Sequence, residues 1–152
     1  MNNIRLVWSV RTECGPNRKK NEDSVFPDKS GSGNIPFRAA VCDGIGGHVN
    51  GDLASSIAAS EMKSKSENLV DIITAANLEI INHQKKNNES SGMGTTMTAI
   101  QIGPNGLMEI GHVSDKRCYV LSDRKLIQLT QENNDAGFQN IFEKALGSNE
   151  KI

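Results

Sequence analysis

Residues 37–66 read FRAAVCDGIGGHVNGDLASSIAASEMKSKS, and a change of period inside this stretch decides the fold. Phe37 to Cys42 is an apolar strand that halts at Asp43-Gly44, so a carboxylate stands at the strand end and a glycine-rich turn follows it. From Gly51 to Ser66 the period changes. Ala54, Ile57, Ala58, Glu61 and Met62 fall at helical spacing, and Asn50 is available as an N-terminal cap. Leu69, Ile72, Ile73, Ala76 and Ile80 repeat the stripe more strongly and predict a second amphipathic helix. The polar Lys85 to Gly92 segment closes it.

Strand patterns lie on both sides of this helix pair. Upstream, Ile4, Leu6, Trp8 and Val10 alternate with Arg5, Val7 and Ser9, as in a half-buried strand. Arg11 to Asn21 is polar and broken by Gly15-Pro16. A short apolar piece follows at Val25-Phe26, and the turn-rich Asp28 to Pro36 reads as a loop. Downstream, Thr95 to Ile102, Leu107 to Val113, Arg117 to Leu121 and Lys125 to Leu129 read as a meander of four strands. Their turns are Gly103-Pro104-Asn105-Gly106 and Ser122-Asp123-Arg124. Strands grouped apart from helices predict an α+β fold and not a doubly wound sheet. There is no internal repeat, and residues 1–152 read as one domain.

Composition narrows the function classes. A chain of 152 residues with 36% hydrophobic and 23% charged residues has enough apolar surface for a core without disulfide staples. Its 17 Lys+Arg against 18 Asp+Glu give a net charge of −1, which argues against partners such as nucleic acid or an anionic membrane. An aromatic content of 4% argues against base-stacking platforms. Cys14, Cys42 and Cys118 form no Cys-x-x-Cys pair and are expected to be buried free thiols. Met1-Asn2-Asn3-Ile4-Arg5 has no secretory leader and no run reaches the ~18 apolar residues of a membrane helix, so a cytoplasmic setting is expected.

Three segments could carry chemistry. Asp43-Gly44-Ile45-Gly46-Gly47-His48 holds a carboxylate rigidly and leaves the Gly44 carbonyl open. Such a carboxylate can bridge two divalent cations, with the carbonyl adding a hard oxygen. A plain turn into a helix is the alternative. Nucleotide loops do not fit, because Val49 stands where the dinucleotide fingerprint needs glycine and no Gly-Lys-Ser/Thr occurs. Arg18-Lys19-Lys20-Asn21-Glu22-Asp23 places a guanidinium before a carboxylate pair; on its own it reads as a solvated charged loop. Gly111 to Arg117 carries Asp115 between two strands, where a hairpin would explain it.

Taken together and in order, these segments resemble the phosphatase 2C (PPM) family of metal-dependent protein serine/threonine phosphatases, in its bacterial form. RKKNEDS (18–24) resembles the family's arginine and Asn-Glu-Asp motif, and DGIGGHVNGDLAS (43–55) its Asp-Gly-x-Gly-Gly segment. GMGTTMTAI (92–100) is similar to the glycine-threonine strand, and GHVSDKRCYVLSDRKLIQLT (111–130) to the His-Val-Gly-Asp hairpin pair. NIFEKALG (140–147) resembles the segment that follows. The resemblance spans most of the chain.

It implies two antiparallel sheets sandwiched by helices, a four-layer αββα arrangement, around a binuclear Mn²⁺ or Mg²⁺ centre. By position Asp43 would bridge both metals, Glu22 and the Gly44 carbonyl would serve one of them, Asp23 would support the loop, and Arg18 would grip the substrate phosphate. Carboxylates and carbonyls suit hard cations, and two metals would activate a water for in-line attack on phosphorus. An arginine meets phosphate oxygens with parallel hydrogen bonds. Asp115 matches the aspartate of an additional, weaker metal, but Ser114 replaces the usual glycine and Lys116 the usual serine. A lysine there works against another cation. Ile45 lies where some members carry a proton-donating histidine, so water would protonate the leaving alkoxide. His48 and His112 read as structural.

The family's two further metal-binding aspartates, in Ser-Asp-Gly and Asp-Asn segments, have no counterpart before Ile152. Ser122-Asp123 occupies a turn, and Asp135 has no strand before it. The chain is therefore expected to be the amino-terminal part of a catalytic domain with its C-terminal strands missing, or a degenerate one. The implied activity is hydrolysis of phosphoserine and phosphothreonine in substrates of a cognate kinase, by a monomer. The alternatives are a pseudophosphatase that binds phosphoproteins without hydrolysis, and a truncated, non-functional product.

Overall fold

The strand at the centre of the sequence argument runs from Phe37 to Asp43 and has a strand hydrogen-bonded on either side. The computed structural model describes residues 4–45, 50–113, 115–130 and 145–148. In chain order the elements are β1 (Arg5–Trp8), β2 (Asp23–Phe26), β3 (Gly31–Asn34), β4 (Phe37–Asp43), α1 (Gly51–Glu61), α2 (Leu69–Lys86), β5 (Met97–Ile102), β6 (Met108–Val113), β7 (Tyr119–Ser122) and β8 (Lys125–Gln128). Strands β2-β4-β5-β6 form one antiparallel sheet, while β1 pairs with β3 and β7 with β8 in two-stranded ladders. The architecture is α+β with antiparallel sheets, as expected. Among the described residues no helix is long and apolar enough to cross a membrane.

Both helices pack on one face of the four-stranded sheet. Ala40 and Cys42 of β4 and Met97 and Ala99 of β5 point to that face and are buried against Ala54, Ala58 and Met62 on one helix side and Leu69, Ile72, Ile73, Ala76 and Ile80 on the other. The helical stripe read from sequence is thus the buried stripe, and each fully buried Ile contributes roughly 1.5–3 kcal/mol. Small residues set the closeness of the layers. On β6 a Cβ added at Gly111 would lie 2.1 Å from Ile73 Cδ1, so glycine lets α2 settle on the sheet. On the other face, β1 and the residues leading into β7 border a groove of about 490 Å³ over Val25, Val41, Thr98 and Ile100.

Five expectations need correction. The Asp28–Pro36 loop contains a strand, β3, whose Gly31 and Gly33 pair with Trp8 and Leu6. A Cβ at Gly31 would sit 2.8 Å from the Trp8 indole, so the glycines that suggested a loop are there to admit the ring. The four downstream strands are not one meander: β5–β6 belongs to the main sheet and β7–β8 to a separate ladder. Only Cys42 of the three thiols is buried; Cys14 is exposed and Cys118 intermediate. Burial pushes the Cys42 thiol up to about 12. Asn50 is left-handed (φ 63°) and does not cap α1 with its side chain, whose amide instead donates to Ser90 Oγ at 3.0 Å.

The first helix also ends at Glu61, not at Ser66, and Arg38 gives the reason. Its guanidinium reaches across from β4 and donates to the Ser64 carbonyl at 2.7 Å, to the Ser66 carbonyl, to the Met62 carbonyl at 3.4 Å and to Gln101 Oε1 at 2.7 Å. Those carbonyls belong to a turn that leaves the helix axis, and a cation at a helix C-terminus also meets the negative end of its dipole. Arg38→Ala is expected to cost about 2–3 kcal/mol, because it leaves Gln101 and the turn carbonyls without this donor. Urea unfolding followed by circular dichroism measures it.

Candidate metal centre

The register of β2 on β4 sets Asp23 directly opposite Asp43 at the sheet's end. One residue further, the Gly44 N–H donates to the Glu22 carbonyl at 3.1 Å and prolongs the ladder past the last named strand pair. Glycine is required at position 44. A Cβ there would lie 2.3 Å from the Gly51 carbonyl oxygen and 2.7 Å from that of Glu22, both of them backbone atoms. The start of α1 therefore closes directly over the strand end. Ser55, fully buried in α1, donates to the Glu22 carbonyl at 2.6 Å and lies 2.9 Å from the Ser24 hydroxyl. The Glu22 carboxylate rests against Gly51, where an added Cβ would be 2.9 Å from Oε1.

The other side of Asp43 is held by the glycine-threonine segment. Thr96 N–H donates to the Asp43 carbonyl at 2.9 Å, Asp43 N–H donates to Thr96 Oγ1 at 3.2 Å, and Ile45 N–H donates to the Gly94 carbonyl at 2.9 Å. Thr95 in turn exchanges backbone hydrogen bonds with Leu146 at 3.2 and 2.9 Å. Asp43 is clamped through its main chain from both neighbours, which leaves its carboxylate to be positioned by charge.

That charge is local and mostly of one sign. Lys116 Nζ lies 2.7 Å from Asp43 Oδ2 and 2.7 Å from Asp115 Oδ1, joining the two carboxylates. Burial and the facing Asp43 carboxylate hold Asp23 above the ordinary carboxylate value. The Lys116 hydrogen bond draws Asp115 below it, although partial burial opposes the shift. Burial pulls Lys116 down, but its hydrogen bonds to Asp115 and Asp43 outweigh that, and its value rises.

The structure therefore brings Glu22, Asp23, Asp43, Gly44 and Asp115 to one end of the sheet. Arg18 sits in the exposed 10–22 loop, where its main chain accepts from the Cys14 thiol and donates to the Gly15 carbonyl. His112 Nδ1 lies 3.0 Å from Thr98 Oγ1 across the β5–β6 pair, in keeping with a structural role. Residues 46–49, with His48, and Ser114, Asp135 and 140–144 lie outside the described residues. Sequence reading overlooked Thr96 and Ser55 as supports. Both lie inside the quoted motifs, Ser55 beside Ala54 on the buried side of α1 and Thr96 just before β5.

The donors fit a hard divalent cation in kind, being carboxylate oxygens and a main-chain carbonyl, that of Gly44. Among the described residues no three His, Cys, Asp or Glu side chains form a group able to hold an ion by themselves. A cationic group, the Lys116 ammonium, is already drawn to this end of the sheet.

Two expectations follow. A group whose folded value is raised favours folding only while protonated, so Asp23 opposes folding at neutral pH and ceases to do so as pH falls through its raised value. Asp23→Asn should raise stability at pH 7 by a few tenths of a kcal/mol, the side chain being largely exposed, and the gain should vanish in acid. Chemical unfolding at pH 7 and below pH 4 checks this. Gly44→Ala should cost about 1–3 kcal/mol by forcing α1 off the strand end, read from the thermal midpoint.

No protein-family model matches the chain. It is 31% identical over 137 residues to the serine/threonine protein phosphatase PstP of Mycobacterium tuberculosis, covering 84% of this chain and 25% of that protein. It is 32% identical over 138 residues to the serine/threonine phosphatase stp of Listeria monocytogenes, covering 81% of this chain and 53% of that one. The PstP catalytic domain solved in complex with two manganese ions superposes with a TM-score of 0.70 at 28% identity, covering 95% of this chain and 67% of that chain. The chain thus spans about a quarter to a half of the length of these curated relatives. In its ordered motifs, antiparallel α+β architecture and acidic sheet end, the chain is similar to these bacterial serine/threonine phosphatases, which the resemblance places with the phosphatase 2C (PPM) type.

Proposed function

We propose that this chain forms part of a centre that hydrolyses phosphoserine and phosphothreonine in proteins. The observation that carries the reading is the gathering of Glu22, Asp23, Asp43, Gly44 and Asp115 at one sheet end, in a chain similar to bacterial serine/threonine phosphatases. Divalent cations, Mn²⁺ or Mg²⁺, would supply Lewis acidity there and lower the pKa of water. Asp43, Glu22 and the Gly44 carbonyl would hold them, with Asp23 supporting the loop and Asp115 the candidate ligand of a further ion.

The chain's own residues do the positioning. The backbone clamp of Thr96 and Glu22 keeps Asp43 from swinging as the phosphate arrives. Arg18, on an exposed loop, orients the phosphate oxygens through its planar donors. Ile45 has no proton to give, so the leaving serine or threonine alkoxide takes its proton from water. Substrates are phosphoproteins made by a cognate serine/threonine kinase, the chain acts as a monomer, and its free thiols suit a reducing cytoplasm. The pseudophosphatase alternative draws no support from the relatives' names.

The test is Mn²⁺-dependent release of phosphate from a phosphothreonine peptide. Asp43→Asn is expected to lower it at least about a hundredfold and Arg18→Ala to raise KM. Release that persists in chelator, or that Asp43→Asn leaves unchanged, would overturn the assignment.

A further inference from the structure

We propose that the Lys116 ammonium is a tethered cation that holds Asp43 and Asp115 in place of a divalent ion, so that the chain binds fewer such ions, or binds them more weakly, than its carboxylates would otherwise allow. This rests on the metal-centre reading above and specifies how this chain tunes it. Lys116 Nζ is 2.7 Å from Asp43 Oδ2 and equally 2.7 Å from Asp115 Oδ1, so one ammonium engages an oxygen of each carboxylate. An oxygen so engaged faces a positive charge, and a divalent ion approaching it must displace the ammonium or accept repulsion from it.

The tether makes the competition intramolecular. Asp115 and Lys116 are adjacent, and they precede β7 on the segment that borders the groove over the sheet's second face. Asp43 is fixed by its main chain at the end of β4, so its carboxylate is where the ammonium and an ion must compete. Both side chains of the Lys116–Asp43 pair are 38% exposed, which leaves room for the ammonium to swing away toward solvent. A short side chain at 116 would remove the ammonium that joins Asp43 Oδ2 to Asp115 Oδ1.

The experiment counts bound Mn²⁺ on metal-stripped protein by the free-ion signal in electron paramagnetic resonance, with calorimetry in parallel. Wild type is compared with Lys116→Met and Lys116→Gln, and each is crossed with Asp115→Asn. Charge removal should add one ion per chain or tighten Mn²⁺ binding at least about tenfold. Asp115→Asn should abolish that gain in the Lys116 variants and change little in wild type. Wild-type binding that both Lys116 variants leave unaltered would overturn this inference and leave the metal-centre reading standing. Binding by the variants but not by wild type would support the inference and count against metal loading of the natural chain. Failure of every protein to bind would overturn both, and circular dichroism confirms that each variant is folded.

Discussion

Like charges must be held together at the end of one strand, and most of the local structure serves that requirement. Asp23 and Asp43 face each other across a ladder rung, with Glu22 one residue away and Asp115 drawn in from another loop. Left to themselves these groups would spread apart or bind protons, as the raised value of Asp23 records. What keeps them near one another is backbone, not side-chain attraction. The Gly44–Glu22 bond on one side and the Thr96 clamp on the other leave Asp43 little freedom, and Lys116 offsets part of the charge.

The sheet and helices can be understood as the support for that clamp. Cys42 and Ala40 anchor β4 in the core, so the strand that carries Asp43 cannot slide without exposing apolar surface. Small residues then let α1 close over the strand end: Gly44 and Gly51 meet at backbone distance, and Ser55 joins the helix to the Glu22 carbonyl. Arg38 draws the chain off after α1 and sends it toward α2. A cluster of repelling carboxylates lowers stability, and a stiff, well-packed scaffold absorbs that cost while keeping the donors in place.

Much of this was legible beforehand where periodicity and burial agree. The stripe Leu69, Ile72, Ile73, Ala76 and Ile80 gave α2 its buried face, and the run into Asp43 gave β4. Legibility failed where one residue's environment is made by a distant one. Gly31 and Gly33 look like turn formers until Trp8 is laid across them, and residues 62–66 look helical until Arg38 takes their carbonyls. Asn50 looked like a cap and is instead bonded to Ser90, forty residues away in sequence.

The same division runs through the site. Sequence by itself determined which groups are present: a carboxylate at a strand end, a glycine after it, an acidic pair upstream and the motif order that resembles the phosphatase 2C family. It also exposed Lys116 as an unexpected cation. Only the tertiary structure decided which of these groups meet, because register across β2 and β4, the approach of α1 to Gly44 and the reach of Lys116 to Asp43 depend on residues 7 to 73 positions apart. Local patterns record burial and turn preference, whereas a charged centre is fixed by distances through space that no local pattern encodes.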